Sequence, residues 1–132
     1  TGGLTSSKIT DLAGSSQVFM GSIISYDNQI KTNQLNVKQE TLLKFGAVSL
    51  ECAKEMALGA RINLGVDYAV SITGIAGPTG GSTEKPVGTV AIGISSKNIN
   101  DAKIFQFPGD RVKLKDRFSD MALLILLNYF DV

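Results

Sequence analysis

The chain has 132 residues, 43% apolar and 19% charged, with 13 Lys and Arg, 12 Asp and Glu, and no histidine. That length carries one domain whose core needs no disulfide or metal staple. A formal charge of +1 leaves no electrostatic footprint for nucleic acid or anionic lipid, although a local anion pocket stays open. The single cysteine, Cys52, excludes an intrachain disulfide and, without histidine, lacks the usual partners for zinc or a thiol-imidazole pair, so no metal and no cofactor is expected. A reducing cytoplasm fits this composition. The apolar run Ala122 to Leu127, even with Met121 before it, is far below the roughly 20 residues that span a bilayer, which predicts a soluble protein with no membrane partner.

After Thr1-Gly2-Gly3, the spacing of Leu4, Lys8, Ile9 and Leu12 predicts a helix capped by Thr1 and ended at Ala13-Gly14. The paired glycines either leave helix amides open to an anion or let backbone approach backbone. Gly21 to Tyr26 reads as a strand. Asp27 then caps a short helix, Asn28 to Leu35, with Lys31 near its first turn, where the helix dipole and any burial lower a lysine pKa. The competing reading of Lys31 is a solvated surface lysine. A further short helix over Val37 to Lys44 stops at Phe45-Gly46. Ser49 caps the clearest helix, with Ala53, Met56, Ala57, Ala60 and Leu64 on one face and Gly65 as its stop. Cys52 borders that face and reads as a packing residue.

Tyr68 to Thr73 reads as a buried strand running into GIAGPTGGSTEKPVG, a long loop that is either a ligand-binding segment or a flexible connector. It matches neither a Walker A loop nor a dinucleotide fingerprint. Thr73, at the strand's end, is the residue there best placed to touch a ligand. Val87 to Ser95 and Ala102 to Phe107 form a hairpin about a polar turn. Pro108-Gly109-Asp110 then caps a long helix with Leu114, Phe118, Met121, Ala122, Ile125 and Tyr129 on one face. Leu123, Leu124, Leu126 and Leu127 widen that face, so this end is either deeply buried or an oligomer contact. Arg111, at the helix start, suits a phosphate or a neighbouring carboxylate equally. Alternating strands and helices with one hairpin predict an α/β fold, a single domain over 1–132 built as a three-layer sandwich with a mixed parallel and antiparallel sheet.

The chemistry concentrates in Gly14 to Lys31. Without imidazole, a serine activated by a neutral lysine is the leading hydrolytic arrangement, and Ser16, Tyr26 and Lys31 offer nucleophile, proton relay and base. Geometry sets a condition. Fully extended, Ser16 and Tyr26 would stand roughly 33 Å apart, so a shared site requires Ser15 to Met20 to fold back.

The stretches TGGL (1–4), DLAGSS (11–16), ISYDNQIK (24–31), GAVS (46–49), SITGIAGPTGGSTEKPVGTV (71–90) and FPGDR (107–111) resemble the C-terminal domain of the competence-damage-inducible protein CinA and its stand-alone form, nicotinamide-nucleotide amidase. The resemblance spans nearly the whole chain, and the loop from Thr73 to Val90 is its most specific part. It implies hydrolysis of nicotinamide mononucleotide to nicotinic acid mononucleotide and ammonia, in pyridine-nucleotide salvage and without a metal. The family's catalytic residues fall on Ser16, Tyr26 and Lys31, with substrate binding at Thr73, Gly74 and Arg111.

The chain departs from the pattern in three places. The family has a helix and a strand before Thr1, so a truncated domain lacking one sheet strand is expected. Met20 stands where arginine is common. The nucleotide-pyrophosphatase domain that precedes this one in longer members lies outside these 132 residues, so that activity is not expected of them. The rival reading is a catalytically silent module that senses pyridine nucleotide or binds a partner. A homo-oligomer, with a dimer favoured, is expected from the leucine-rich last helix.

Overall fold

The computed structural model describes residues 1–130. Helix α1 (Leu4–Thr10) is followed by a 3₁₀ turn (Ser15–Gln17), α2 (Asn28–Leu35), α3 (Gln39–Phe45), α4 (Leu50–Leu64), β1 (Ala69–Gly74), β2 (Thr89–Ser95), β3 (Asn100–Gln106) and α5 (Arg111–Phe130). The strands lie in the order β1-β2-β3, with Val70 opposite Ile94 and Ile92 opposite Lys103.

The sheet is a central layer between helices, as α/β packing requires. Every residue of β2 is buried, because both of its faces are covered. Val90, Ile92 and Ile94 pack with Leu114, Phe118, Ala122 and Ile125 of α5. On the other face, small residues let α4 come close. A Cβ on Gly93 would stand 2.3 Å from the Ala53 carbonyl oxygen, which also accepts a hydrogen bond from the Ser71 hydroxyl at 2.6 Å. Behind α4 a second apolar group, Leu35, Val37, Cys52 and Met56, fixes α2. Gly59 permits that approach, since a Cβ there would lie 1.9 Å from the Leu35 carbonyl oxygen.

The α/β single domain is as expected, but the sheet is antiparallel throughout its three strands. Gly21 to Tyr26 does not join it. Its residues alternate between half-buried and exposed, as an extended chain does, yet it carries no ladder among the described residues because no neighbouring strand stands beside it. The parallel component of the expected mixed sheet depended on that segment.

Several caps match their sequence signals. The Asp27 carboxylate accepts from the Gln29 amide at 2.8 Å, and the Ser49 hydroxyl from the Cys52 amide at 3.1 Å. Thr1 is not the cap of α1; Gly3 stands there in a left-handed conformation. α3 is capped from outside, by Glu55 of α4, whose carboxylate accepts from the Lys38 amide and the Thr41 hydroxyl. Among the described residues no buried side-chain nitrogen or oxygen lacks a partner, and no helix is long and apolar enough to cross a membrane.

Candidate functional site

The start of α2 carries Lys31 inward. Asp27 ends the extended segment, the helix turns beneath it, and the Lys31 side chain is buried with its ammonium donating to the Ser25 carbonyl at 2.9 Å and the Tyr26 carbonyl at 3.2 Å. Among the described residues no carboxylate bonds it. Burial pushes its pKa below the ordinary value, against the attraction of Cys52 and Asp27. An amine with two protons on carbonyls keeps its third position, a proton or a lone pair, free to point elsewhere.

Arg111 opens α5 and reaches across to the same place. One arm of its guanidinium, Nη1, donates to the Gly77 carbonyl at 2.7 Å, and the other, Nη2, to the Tyr26 hydroxyl at 3.3 Å. The glycine-rich loop is therefore anchored rather than a loose connector. Its ends extend the β1-β2 ladder through Ile75 and Gly88, and Lys85 ties its middle to the Phe45 carbonyl. Thr73 is buried and donates to the Ala47 carbonyl at 2.8 Å, so its hydroxyl proton holds the loop before α4, while Gly74 is exposed beside it.

A further cation belongs here that the sequence reading missed. Lys115 follows Arg111 by one helical turn, on the same face of α5. Its ammonium lies 3.9 Å from where a Gly2 side chain would stand. Lys115, Lys31 and Arg111 all lie near enough to Thr1 to act on it electrostatically. The nearby carboxylates are engaged elsewhere, Asp116 with Lys8 and Asp110 with Lys113. The spacing of Lys115 from Arg111 was the signal available in the sequence, hidden by the apolar stripe of the same helix.

Ser16 is not brought to this cluster within the chain. The expected turn exists, with Val18 and Phe19 amides both donating to the Ser15 carbonyl, but it lies beyond the far end of α1. Ser6 bonds Ser22, and Gly3 packs on Ile24, so the segment runs back along α1 toward Thr1 and delivers Tyr26, not Ser16, to the site. Phe19 to Tyr26 alone spans about 23 Å when extended. The Ser16 side chain is exposed and, among the described residues, makes no hydrogen bond to Tyr26 or Lys31. Two depressions, one of about 350 Å³ around Arg61 and Tyr68 and one of about 450 Å³ between α2 and α3, lie apart from these groups. No cluster of metal-ligating side chains occurs among the described residues.

The arrangement defines an α/β domain with a buried lysine, held by carbonyls, beside an arginine-anchored tyrosine. The chain belongs to the family of the CinA C-terminal domain, whose model matches residues 1–130. A CinA-like protein of Kosmotoga olearia is 53% identical over 123 residues, covering 93% of this chain and 30% of that protein. A putative competence-damage inducible protein of Caldicellulosiruptor saccharolyticus is 50% identical, covering 96% of this chain and 31% of its own length. This chain thus spans about a third of the curated relatives it matches. Among solved structures, the competence/damage inducible protein CihA from Agrobacterium tumefaciens superposes with a TM-score of 0.90 at 38% identity, over 96% of this chain and 78% of that one. A CinA superfamily protein from Escherichia coli gives 0.91 at 31% identity, over 96% and 73%.

Proposed function

We propose that the chain is an amidohydrolase that converts nicotinamide mononucleotide to nicotinic acid mononucleotide and ammonia, in the cytoplasm and as a homo-oligomer. The observation that carries this reading is Lys31: buried, held by two carbonyls, without a carboxylate partner among the described residues and depressed in pKa, it has the properties of a base. Lys31 takes the Ser16 proton, directly or through Tyr26, as Ser16 Oγ bonds to the carboxamide carbon. The C–N bond then breaks, the leaving amine receives a proton and departs as ammonia, and water hydrolyses the resulting ester to the acid. Thr73 and Gly74 border the substrate, and Arg111 with Lys115 takes its phosphate.

A second reading is favoured by one observation, the separation of Ser16 from Lys31 within the chain: a silent module that binds a pyridine nucleotide without turning it over. Ammonia release from nicotinamide mononucleotide by wild type, Ser16→Ala and Lys31→Ala decides between them. The amidase reading expects turnover in the wild type alone; equal release by all three ends it.

A further inference from the structure

Few groups fix the glycine-rich loop to its surroundings. Its base belongs to the β1-β2 ladder, through Ile75 and Gly88, and Arg111 holds Gly77. Beyond Gly77 the hydrogen bonds of residues 78–87 stay local: Ser82 and Lys85 bond each other across a short turn, and the Pro86 carbonyl accepts from Thr89. Among the described residues one bond carries this part of the loop to another element, from the Lys85 ammonium to the Phe45 carbonyl at 2.6 Å.

That carbonyl suits a cation. Phe45 is the last residue of α3, where the carbonyls have no donor within their own helix and the helix dipole is negative. The two carbonyls that follow are held as well. That of Gly46 accepts from the Ser49 hydroxyl and that of Ala47 from the Thr73 hydroxyl, both at 2.8 Å. Three consecutive peptide oxygens between α3 and α4 are thus gripped by three side chains, two of which flank the loop: Thr73 just before it and Lys85 near its end.

Thr73 and Arg111 already have places in the proposed site, and Lys85 is the third attachment. Two attachments leave a loop free to swing about the line joining them; a third removes that rotation. The attachment also stands close to the candidate base, since Lys85 and Lys31 both lie near enough to Cys52, in the first turn of α4, to act on it electrostatically.

We propose that Lys85 is a positioning residue: its bond to the Phe45 carbonyl latches the glycine-rich loop where Thr73, Gly74 and Arg111 together meet the mononucleotide, so that it sets substrate affinity without touching the reacting atoms. The effect on turnover rests on the amidase reading; the latch itself does not.

The test compares wild type, Lys85→Met and Lys85→Arg. Methionine keeps a long stem and loses the donor, whereas arginine keeps donor and charge. Glu84 is the one acidic residue between Gly74 and Gly88, so a glutamate-specific protease reads the loop directly. With rates normalised to those of each unfolded chain, Lys85→Met should be cut at Glu84 about tenfold faster than wild type, with cleavage at Glu40, Glu51 and Glu55 unchanged and Lys85→Arg close to wild type. No acceleration at Glu84 overturns the latch, and so does an equal rise at every glutamate, which marks a general loss of stability. In ammonia release, Lys85→Met should raise KM for nicotinamide mononucleotide about tenfold, with kcat and its dependence on pH unchanged and with recovery in Lys85→Arg. An unchanged KM, or a loss confined to kcat, overturns the positioning role. If the wild type releases no ammonia, the amidase reading falls and the protease comparison alone decides the latch. If it releases ammonia while Glu84 is cut equally in all three, the latch falls and the amidase reading stands.

Discussion

Arg111 donates to the Tyr26 hydroxyl at 3.3 Å across 85 positions of sequence, while its other arm holds the Gly77 carbonyl. One planar side chain therefore sets the glycine loop and the tyrosine relative to each other. Lysine keeps the charge but cannot bridge two acceptors in a fixed fork. We expect Arg111→Lys to lower kcat/KM at least about tenfold, which corresponds to about 1.4 kcal/mol. Tyr26→Phe, which removes the bonded hydroxyl and leaves the Gly77 anchor, should show whether that loss follows the tyrosine or the loop.

Lys31 gives activity and stability a shared pH dependence. As a base it works unprotonated, so the rate should rise with pH through its lowered pKa, and Lys31→Met should abolish that limb. For stability, a lysine depressed by burial binds fewer protons folded than unfolded between its lowered value and the ordinary 10.5. Stability should therefore increase with pH across that window and lose this component in Lys31→Met. Urea unfolding at several pH values reads it, and a wild-type profile parallel to that of Lys31→Met would contradict the buried assignment.

Cys52 acts with the opposite sign. Burial foremost raises its thiol from 9.0 to about 11, with Lys31 pulling the other way. The unfolded chain then loses that proton first, so stability present below pH 9 declines as pH climbs toward 11. The effect is on the order of 2–3 kcal/mol. Cys52→Ala should start less stable, through the lost packing, but decline less between pH 8 and 11 in the same unfolding series.

Gly59 is a packing requirement with a functional echo. The atom 1.9 Å from its missing Cβ is backbone, the Leu35 carbonyl oxygen, and cannot swing aside. Gly59→Ala should destabilise by about 1–3 kcal/mol in denaturant unfolding. It must also displace α2, the helix that positions Lys31, so kcat should fall under conditions where the variant is still folded.

Lys115 supplies the phosphate prediction. Lys115→Met should raise KM for the mononucleotide about tenfold with kcat little changed, the mark of a contact made equally in ground and transition states. The dephosphorylated nucleoside should be turned over no worse than by wild type. An equal loss on both substrates would place Lys115 outside the phosphate site.

Much of this was legible because local signals and tertiary structure agree. Asp27, Ser49 and Asp110 cap where their side chains predict, and Ala53, Met56 and Ala57 are buried as their spacing requires. The α2 boundaries, Asn28–Leu35, follow from the cap and the helix-compatible run behind it. Tyr26, Lys31 and Arg111 stood out as candidates in the sequence, and hydrogen bonds link both Lys31 and Arg111 to Tyr26. What escaped the sequence depends on neighbours. Gly21 to Tyr26 has the composition and alternation of a strand, but a ladder needs a second chain segment, which composition cannot supply. The fold-back required for Ser16 was a condition on path. α1 and its serine link to Ser22 send the path the other way. Lys115 was overlooked because a charged residue on a mostly apolar helix reads as solvated surface until the facing Gly2 backbone is known.

The candidate side chains grip main-chain oxygens: Lys31 holds those of Ser25 and Tyr26, Thr73 that of Ala47, and Arg111 that of Gly77. A carbonyl is common to all twenty amino acids. Positions 25 and 47 can therefore drift in identity without loosening the grip, whereas 31, 73 and 111 cannot. Gly77 is the exception, because its φ of 77° and the Val87 side chain 2.5 Å from its absent Cβ exclude any larger residue. The architecture concentrates mutational sensitivity in a few gripping residues and frees most of what they grip.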